Sequence, residues 1–274
     1  MWTAKHRERY KDDGRRYPSD LTDPEWSTIS PFFAVYTTLT ADLRETVNAC
    51  LYLQKTGCGW RYLPTNFGPW ETVRTWHDRF RADGIWPDIG ALLTRAVRQG
   101  RGHAAEPSTA ILDSQSVVSG PQKGERGVDG NKRVKGIKRH ILTCSLGFVL
   151  AVVVTAANMH DTKAAGLVLD QAVENGWAPE RLKVDGIYTG ERMNAAAERH
   201  DVDVDVSTRP SDAVGFTPLP LRWRVEATFG TQTNRYRRLT RNLEQDATAA
   251  ENAVELASFH RVLKTYCRDR DCVQ

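Results

Sequence analysis

The sequence predicts an α/β or α+β protein in which a helical N-terminal region, residues 1–100, precedes a mixed-sheet domain, residues 101–274. Apolar residues recur at helical spacing through the first hundred positions, whereas β-rich runs bounded by glycine begin near residue 110. Strand-like and helical segments then alternate towards the C-terminus. A chain of 274 residues is long enough for one large domain or two modest ones.

Two helix starts can be placed in the N-terminal region. Thr22 precedes Pro24 and Glu25, which is the pattern of a capping box with proline in the first turn. Asp42 marks a second helix start, and that helix is predicted to end at Gly57 because glycine commonly terminates helices.

A further helix is predicted to follow Pro69. Two helices separated by a glycine-bearing turn indicate a helix-turn-helix, whose second helix would present Arg74 and Arg79 to DNA. A plain helical bundle is the alternative. The small and polar residues of 91–107 are predicted to form a linker to the second domain.

The second domain begins with β-rich segments. Residues 140–146 and 148–155 are predicted to form a hairpin around Gly147. The segment "RLKVDG" is predicted to be a short strand that ends at Asp185, and "DVDVDVS" alternates as a half-buried strand does. The basic stretch "KGERGVDGNKRVKGIKR" is predicted to be a mobile loop. Helices are predicted over three further segments, 162–176, 188–199 and 247–266.

The charge distribution favours a polyanionic partner. The net charge is only +4. However, residues 121–140 hold seven Lys or Arg against two acids, and residues 222–241 hold six Arg against one acid. Such runs suit nucleic acid, although a solvated charged surface is the alternative for either run.

The chain has no stretch of about 18 apolar residues, so no membrane span is expected. Its first residues lack the apolar core of a secretory signal, and the expected location is therefore the cytoplasm, with nucleoid association. Five scattered cysteines without a CxxC pair indicate reduced thiols.

Two acids follow short apolar strands in the same manner. Asp113 ends the run "AIL" and Asp185 ends "RLKV", and small residues come after each. Asp at such a boundary commonly caps a turn. Neighbouring strand ends would instead bring both carboxylates to one divalent ion, with Glu226 on a later helix as the third acid. An exposed surface pair between Glu226 and Arg222 is the alternative for that residue.

Other polar residues near these segments have simpler interpretations. Asp161 could begin the next helix as its N-cap or act beside a metal site. His140 could lie near the site or contact phosphate, or be a packed structural histidine. The alternating Asp201, Asp203 and Asp205 are expected to form a solvated strand surface.

Five motifs occur in an order that resembles a known family. They are "ILDSQSV", "KGIKRHIL", "LGFVLAVVVTAAN…HD", "VDGIYTG" and "LRWRVEATFG…NRYRRL". In this order they are similar to the transposases of bacterial insertion sequences of the IS-five-like branch. The upstream "YPSDLTDPEWSTISPFF" and "GCGWRYLPTNFGPWETVRTWHDRF" resemble that family's N-terminal region, so the resemblance extends from about Tyr17 to Tyr266.

The resemblance implies an RNase H-like catalytic domain, a mixed sheet flanked by helices, with a DDE triad of Asp113, Asp185 and Glu226. It implies a DNA transposase that binds two Mg²⁺ or Mn²⁺ ions through those acids, recognises the terminal inverted repeats of its element and transfers strands into target DNA as a homodimer or larger assembly. A related nuclease without joining activity and a decayed DNA-binding protein are the alternatives.

The basic residues expected to contact DNA are Arg74, Arg79, Lys132, Arg133, Lys135, Lys138, Arg139, Arg222, Arg235, Arg237 and Arg238. Two positions depart from the family pattern. Ala227 follows the Glu where Arg is usual, and Thr231 replaces the usual aromatic residue. Neither change removes a carboxylate, but both alter the surroundings of Glu226.

Overall fold

The computed structural model describes residues 15–36, 41–207 and 222–271, without the side chains of Arg222 and Asp271. Its helices are α1 (Asp23–Ile29), α2 (Leu43–Thr56), α3 (Trp70–Ala82), α4 (Ile85–Gly100), α5 (Asp161–Glu174), α6 (Glu191–Arg199), α7 (Arg222–Arg235) and α8 (Ala247–Asp271). Its strands are β1 (Thr109–Val118), β2 (Gly127–Asp129), β3 (Val134–Cys144), β4 (Val149–Ala156), β5 (Arg181–Val184) and β6 (Asp203–Val206).

The strands form one mixed sheet with β1 near its middle. β1 pairs antiparallel with β3 and parallel with β5. β3 pairs antiparallel with β4 and, through its first residues, with β2, while β5 pairs parallel with β6. Three antiparallel strands followed by two parallel ones, with helices on both faces, confirm the predicted RNase H-like α/β fold.

The predicted helix starts at the N-terminus are confirmed. The Thr22 hydroxyl accepts a bond from the Glu25 amide, and the Glu25 carboxylate accepts one from the Thr22 amide at 2.9 Å. Asp42 caps α2 by accepting from the Glu45 amide at 3.0 Å. Gly57 ends that helix at φ +68°, in the left-handed region that favours glycine.

The connection between α2 and α3 differs from a tight helix-turn-helix. Residues 57–69 separate the two helices and contain two short 3₁₀ turns, Trp60–Tyr62 and Thr65–Phe67. A helix-turn-helix has a turn of about three or four residues. The buried side of α3, which includes Val73 and Phe80, packs as expected for a helical bundle.

One of two hydrophobic clusters joins the N-terminal helices to the sheet. It runs from Leu21 through α4 to residues of α8, and Trp86 contacts Phe259 with ring centroids 5.0 Å apart. The predicted linker over 91–107 is therefore wrong for its first part, since α4 continues to Gly100 with Val97 buried. Apolar residues at helical spacing within 91–100 outweigh their small and polar neighbours.

The hairpin predicted around Gly147 is confirmed by β3 and β4, as are the strands at 181–184 and 203–206. The predicted loop over the basic stretch is wrong in part, because it contains β2 and the first residues of β3. The predicted N-cap at Asp161 is also wrong. His160 caps α5 instead, and its ring nitrogen accepts from the Thr162 amide at 3.3 Å. Among the described helices, none is long and apolar enough to span a membrane.

Two carboxylates on α8, those of Glu251 and Glu255, are half-buried. Burial raises the pKa of Glu255 to about 7, and the nearby Glu251 raises it further. Burial also raises the pKa of Glu251 to about 7, although its carboxylate accepts a bond from the Val154 amide at 2.8 Å. Because the folded state favours the protonated acids, ionising them costs stability.

We expect Glu255→Gln to stabilise the protein at alkaline pH. A raised carboxyl pKa favours folding below the unfolded-state value near 4.5, and that contribution is lost as the pH rises through about 7. At pH 8 the variant should therefore exceed the wild type by about 1 to 3 kcal/mol in unfolding free energy, and the gain should vanish near pH 4.5.

Denaturant unfolding at both pH values measures this difference. Glu174→Gln, at an exposed position on α5, is the matched control and should change stability at neither pH. A Glu255→Gln protein that is less stable than the wild type at pH 8 would contradict the expected sign.

Candidate active site

The register of β1 and β5 places Asp113 level with Asp185. Ile111 on β1 lies opposite Lys183 on β5. Asp113 and Asp185 each follow two residues later, and residues two apart on a strand face the same side of the sheet. Asp113 and Asp185 therefore lie at the same level and on the same face of neighbouring parallel strands. The prediction that Asp113 ends its strand is wrong, because β1 continues to Val118 and stays paired with β3.

Each acid is held by a local backbone bond. The Asp113 carboxylate accepts from the Ser114 amide at 2.7 Å, and the Asp185 carboxylate accepts from the Ile187 amide at 3.0 Å. The Asp185 bond is the Asx turn expected where an Asp ends a strand. An ionised carboxylate has several acceptor positions. Asp185 can therefore accept this turn bond and still bind a metal ion.

Tyr188, which the sequence analysis does not predict as a site residue, lies near Asp113 and Asp185. Its side chain is buried, and burial raises the pKa of its hydroxyl well above the usual value. The negative charges of Asp161, Asp113 and Asp185 raise that pKa further. The Tyr188 hydroxyl therefore lies close enough to all three carboxylates for their charges to affect its pKa. Its position three residues after Asp185, within "VDGIYTG", was the available signal.

Glu226 lies on α7, which covers the face of the sheet that carries Asp113. Val225 and Phe229 of α7 pack in one cluster with Ile111 and Ile141 from β1 and β3. Glu226 follows Val225 and is exposed at the edge of this buried stripe. The side chain of Arg222, its alternative partner, lies outside the described residues.

The three acids do not form a closed ligand set in this structure. Across residues 15–36, 41–207 and 222–271, no three His, Cys, Asp or Glu side chains are arranged to hold a metal ion. The donor chemistry nevertheless suits a hard divalent ion, since all three candidates supply carboxylate oxygens. Asp113 and Asp185 are positioned by the sheet, whereas Glu226 depends on the placement of α7.

Lys138 and His140 lie on the other face of β3 and are buried. Lys138 pairs with Asp161 at 3.2 Å and donates to the Met159 carbonyl at 2.9 Å. The prediction that Lys138 contacts DNA is therefore wrong, because its ammonium group is used inside the protein. His140 bonds to Thr155 at 3.1 Å, and burial lowers its pKa to about 4, so it is a neutral packed histidine.

Arg139 and Arg238 are also buried. The Arg139 guanidinium donates to the Leu239 carbonyl at 2.8 Å, and Arg238 donates to Glu244 at 2.7 Å. Neither side chain is on the surface, so the prediction of DNA contact is wrong for both. The sequence shows that the segment is basic, but it does not show which side chains of the strand point inward.

Seven of the other predicted DNA contacts have exposed side chains: Arg74, Arg79, Lys132, Arg133, Lys135, Arg235 and Arg237. Arg74 lies 3.8 Å from Asp78, and Arg79 lies 3.7 Å from Asp83 and above the Tyr36 ring at 4.9 Å. The remaining one, Arg222, has a side chain outside the described residues. The departures Ala227 and Thr231 both lie on α7, where Ala227 is exposed.

Comparison with known proteins gives two family matches. Residues 104–258, more than half of the chain, match the family profile described as "Transposase DDE domain". Residues 21–90 match the profile described as "Putative transposase of IS4/5 family". No curated protein matches the chain significantly.

Three solved structures show a distant likeness to this chain. The Mos1 mariner paired end complex with Mn is 10% identical, with a TM-score of 0.29 over 97% of this chain and 92% of that one. The Mos1 strand transfer complex is 10% identical, with a TM-score of 0.27 over 97% of this chain and 91% of that one. The Mos1 transposase paired-end complex with the left transposon end is 10% identical. Its TM-score is 0.23 over 73% of this chain and 70% of that one. Such scores support no conclusion about this chain.

We expect Asp161→Asn to destabilise the fold. The change removes the closest carboxylate from buried Lys138, and breaking a buried pair by removing one partner costs about 3 to 5 kcal/mol. The more distant Asp129, at 3.8 Å, should offset part of this cost. Thermal or denaturant unfolding measures the loss. Asp203→Asn, at an exposed position, is the control, and equal stability of both variants would show that the Lys138 pair contributes nothing.

Proposed function

The chain belongs to the DDE transposase family, and on that basis we propose that Asp113, Asp185 and Glu226 are its catalytic acids. The protein is a DNA transposase of the insertion-sequence type. The observation that supports the proposed triad is the strand register, which brings Asp113 level with Asp185 beneath the helix that carries Glu226.

Membership of this family implies the use of divalent metal ions. We propose Mg²⁺ or Mn²⁺, since all three candidate ligands are carboxylates and such ligands suit hard ions. When bound, two such ions would activate the attacking oxygen and stabilise the leaving 3′-oxygen of a phosphodiester. Asp113 and Asp185 would hold the pair of ions from the sheet, and Glu226 would complete the ligands from α7.

The proposed reaction consists of two phosphoryl transfers at this site. In the first, water attacks a phosphorus atom at the element's end, the bond from phosphorus to the 3′-oxygen breaks, and a 3′-hydroxyl and a 5′-phosphate result. In the second, this 3′-hydroxyl attacks a phosphodiester of the target, which replaces one such bond by another. The second step therefore requires no nucleotide cofactor.

The DNA partners proposed are the terminal inverted repeats and the target. The exposed Lys132, Arg133 and Lys135 follow β2, and Arg235 and Arg237 lie at the end of α7. Phosphate contacts from such side chains would fix the position of the duplex without reading bases. Arg74 and Arg79 on α3 are the proposed base-reading side chains. Because two element ends must be joined, we propose at least a dimer on DNA.

We expect cleavage of labelled terminal DNA to require Mg²⁺ or Mn²⁺. Ca²⁺ should support DNA binding with little chemistry, because it accepts looser oxygen coordination than Mg²⁺ does. Product gels with each ion and with EDTA measure this dependence. Formation of joined products distinguishes a transposase from a nuclease that only cuts. Full cleavage in EDTA would rule out the metal-dependent mechanism.

We expect Glu226→Gln to abolish chemistry but preserve folding. Loss of residues that merely support metal ligands costs about 10- to 100-fold, so loss of a ligand should exceed about 100-fold. Gln keeps the side-chain shape, and the position is exposed, so unfolding free energy should change by well under about 1 kcal/mol. Cleavage rate, DNA affinity and stability should be measured together.

Glu198→Gln, exposed on α6, is the matched control and should cleave normally. Asp113→Asn and Asp185→Asn should be as inactive as Glu226→Gln. An active Glu226→Gln protein beside two inactive Asp variants would mean that another acid completes the site, and Asp161 would then be tested next.

A further inference from the structure

A cleft of about 620 Å³ lies between α7, α8 and the end of α2. Its charged lining residues include Lys55, Arg224, Arg235, Arg261, Lys264 and Arg268. No Asp or Glu lines it among the described residues. Three separate helices therefore direct positive side chains into one concave surface.

Four of the eight Lys and Arg side chains that line the cleft lack an acidic partner among the described residues, whereas Arg101 pairs with Asp269 at 2.6 Å. Within the described residues, no carboxylate lies within ion-pair distance of Lys55, Arg224, Arg235 or Arg261. Lys264 pairs with Glu25 at 2.7 Å, and Arg268 lies 3.6 Å from Asp269. Arg261 donates to the Gly147 carbonyl at 2.6 Å, and Lys55 lies over the Tyr236 ring at 4.1 Å. The described part of the chain therefore neutralises the positive charge of the cleft only in part.

The cleft and Glu226 lie on opposite flanks of α7. Successive residues of a helix are about 100° apart, so Arg224 and Arg235 project in nearly the same direction. Glu226 lies about 200° from Arg224 around the helix. The buried stripe with Val225 and Phe229 separates the two flanks. An occupant of this cleft is therefore on a different surface from the proposed catalytic acids.

The neighbouring cations disfavour the charged form of Lys55. Burial lowers the pKa of Lys55 to about 8, and the charges of Arg235 and Lys264 lower it further. An anion bound in the cleft would reverse the contribution of those charges and raise this pKa. The electrostatics therefore favour an anionic occupant independently of the shape.

We propose that this cleft binds the phosphate backbone of DNA, at a position separate from the duplex segment held at the catalytic acids. The inference rests on the proposed transposase function and adds a second DNA contact to it. Arginine matches phosphate geometry with two parallel bonds, and six of the eight Lys and Arg side chains in the lining are arginines. A DNA strand presents a phosphate at about every 3.4 Å, so several cations can be neutralised together, which one small anion cannot do.

Lysine labelling of the full-length protein tests this proposal. An amine-acylating reagent is applied with and without a short random-sequence duplex, and the modification of each lysine is measured by mass spectrometry. At a DNA concentration about ten times Kd, labelling of Lys55 and Lys264 should fall about tenfold. Lys163, exposed on α5 at the other face of the sheet, is the internal control and should be labelled equally in both samples.

Matched variants assign the protection to the cleft. Arg224→Gln combined with Arg268→Gln removes two cations of the cleft and should raise several-fold the DNA concentration that protects Lys55. Protection of Lys132 and Lys135 should persist. Arg181→Gln, exposed at the far end of β5 from Asp185, removes one charge elsewhere and should leave protection of Lys55 unchanged.

The outcomes separate this inference from the proposed function. If DNA protects Lys132 and Lys135 while Lys55 and Lys264 are labelled as in free protein, DNA binding stands and the cleft proposal is overturned. If no lysine is protected at saturating DNA, both proposals fail. If a mononucleotide or inorganic phosphate protects Lys55 as well as the duplex does, the cleft is a small-anion site and the DNA proposal is overturned.

Discussion

The candidate site depends on the pairing of β1 with its two neighbours. Antiparallel pairing with β3 fixes which side chains of β1 lie beneath α7, and parallel pairing with β5 sets the level of Asp113 against Asp185. A shift of one residue in either pairing would move an acid to the opposite face. The buried Ile111 and Leu112, on opposite faces just before Asp113, hold β1 in this register.

The Gly147 turn secures the helix that carries the third acid. Its carbonyl accepts from the Thr228 hydroxyl at 2.8 Å and from Arg261 at 2.6 Å, so one turn of the hairpin contacts both α7 and α8. A side chain at this position would have its Cβ 3.1 Å from the Thr228 hydroxyl, and the backbone has φ +78°. Glycine is therefore required where α7 approaches the sheet. Arg261, which makes one of these bonds, also lines the basic cleft.

Positive charge serves two separate purposes in this fold. Inside, Lys138, Arg139 and Arg238 bond to carbonyls and carboxylates that connect β3 with α5 and with the turn after α7. Buried charge is costly unless it is paired, so these side chains are committed to structure. Outside, Lys55 and Arg235 have no such carboxylate among the described residues. Only this second group can neutralise phosphates without weakening the core.

The sequence by itself determined the local elements and the family. Capping at Thr22 and Asp42, the hairpin at Gly147 and the strand before Asp185 follow from nearby residues, and local rules suffice for them. The continuation of β1 past Asp113 depends on its pairing with β3. The ordered motifs indicated the transposase family. The burial of Lys138 and Arg139, the role of Tyr188 and the basic cleft were decided by tertiary structure. Each depends on residues far apart in the chain, as Arg139 with Leu239 shows, and sequence spacing carries no information about such contacts.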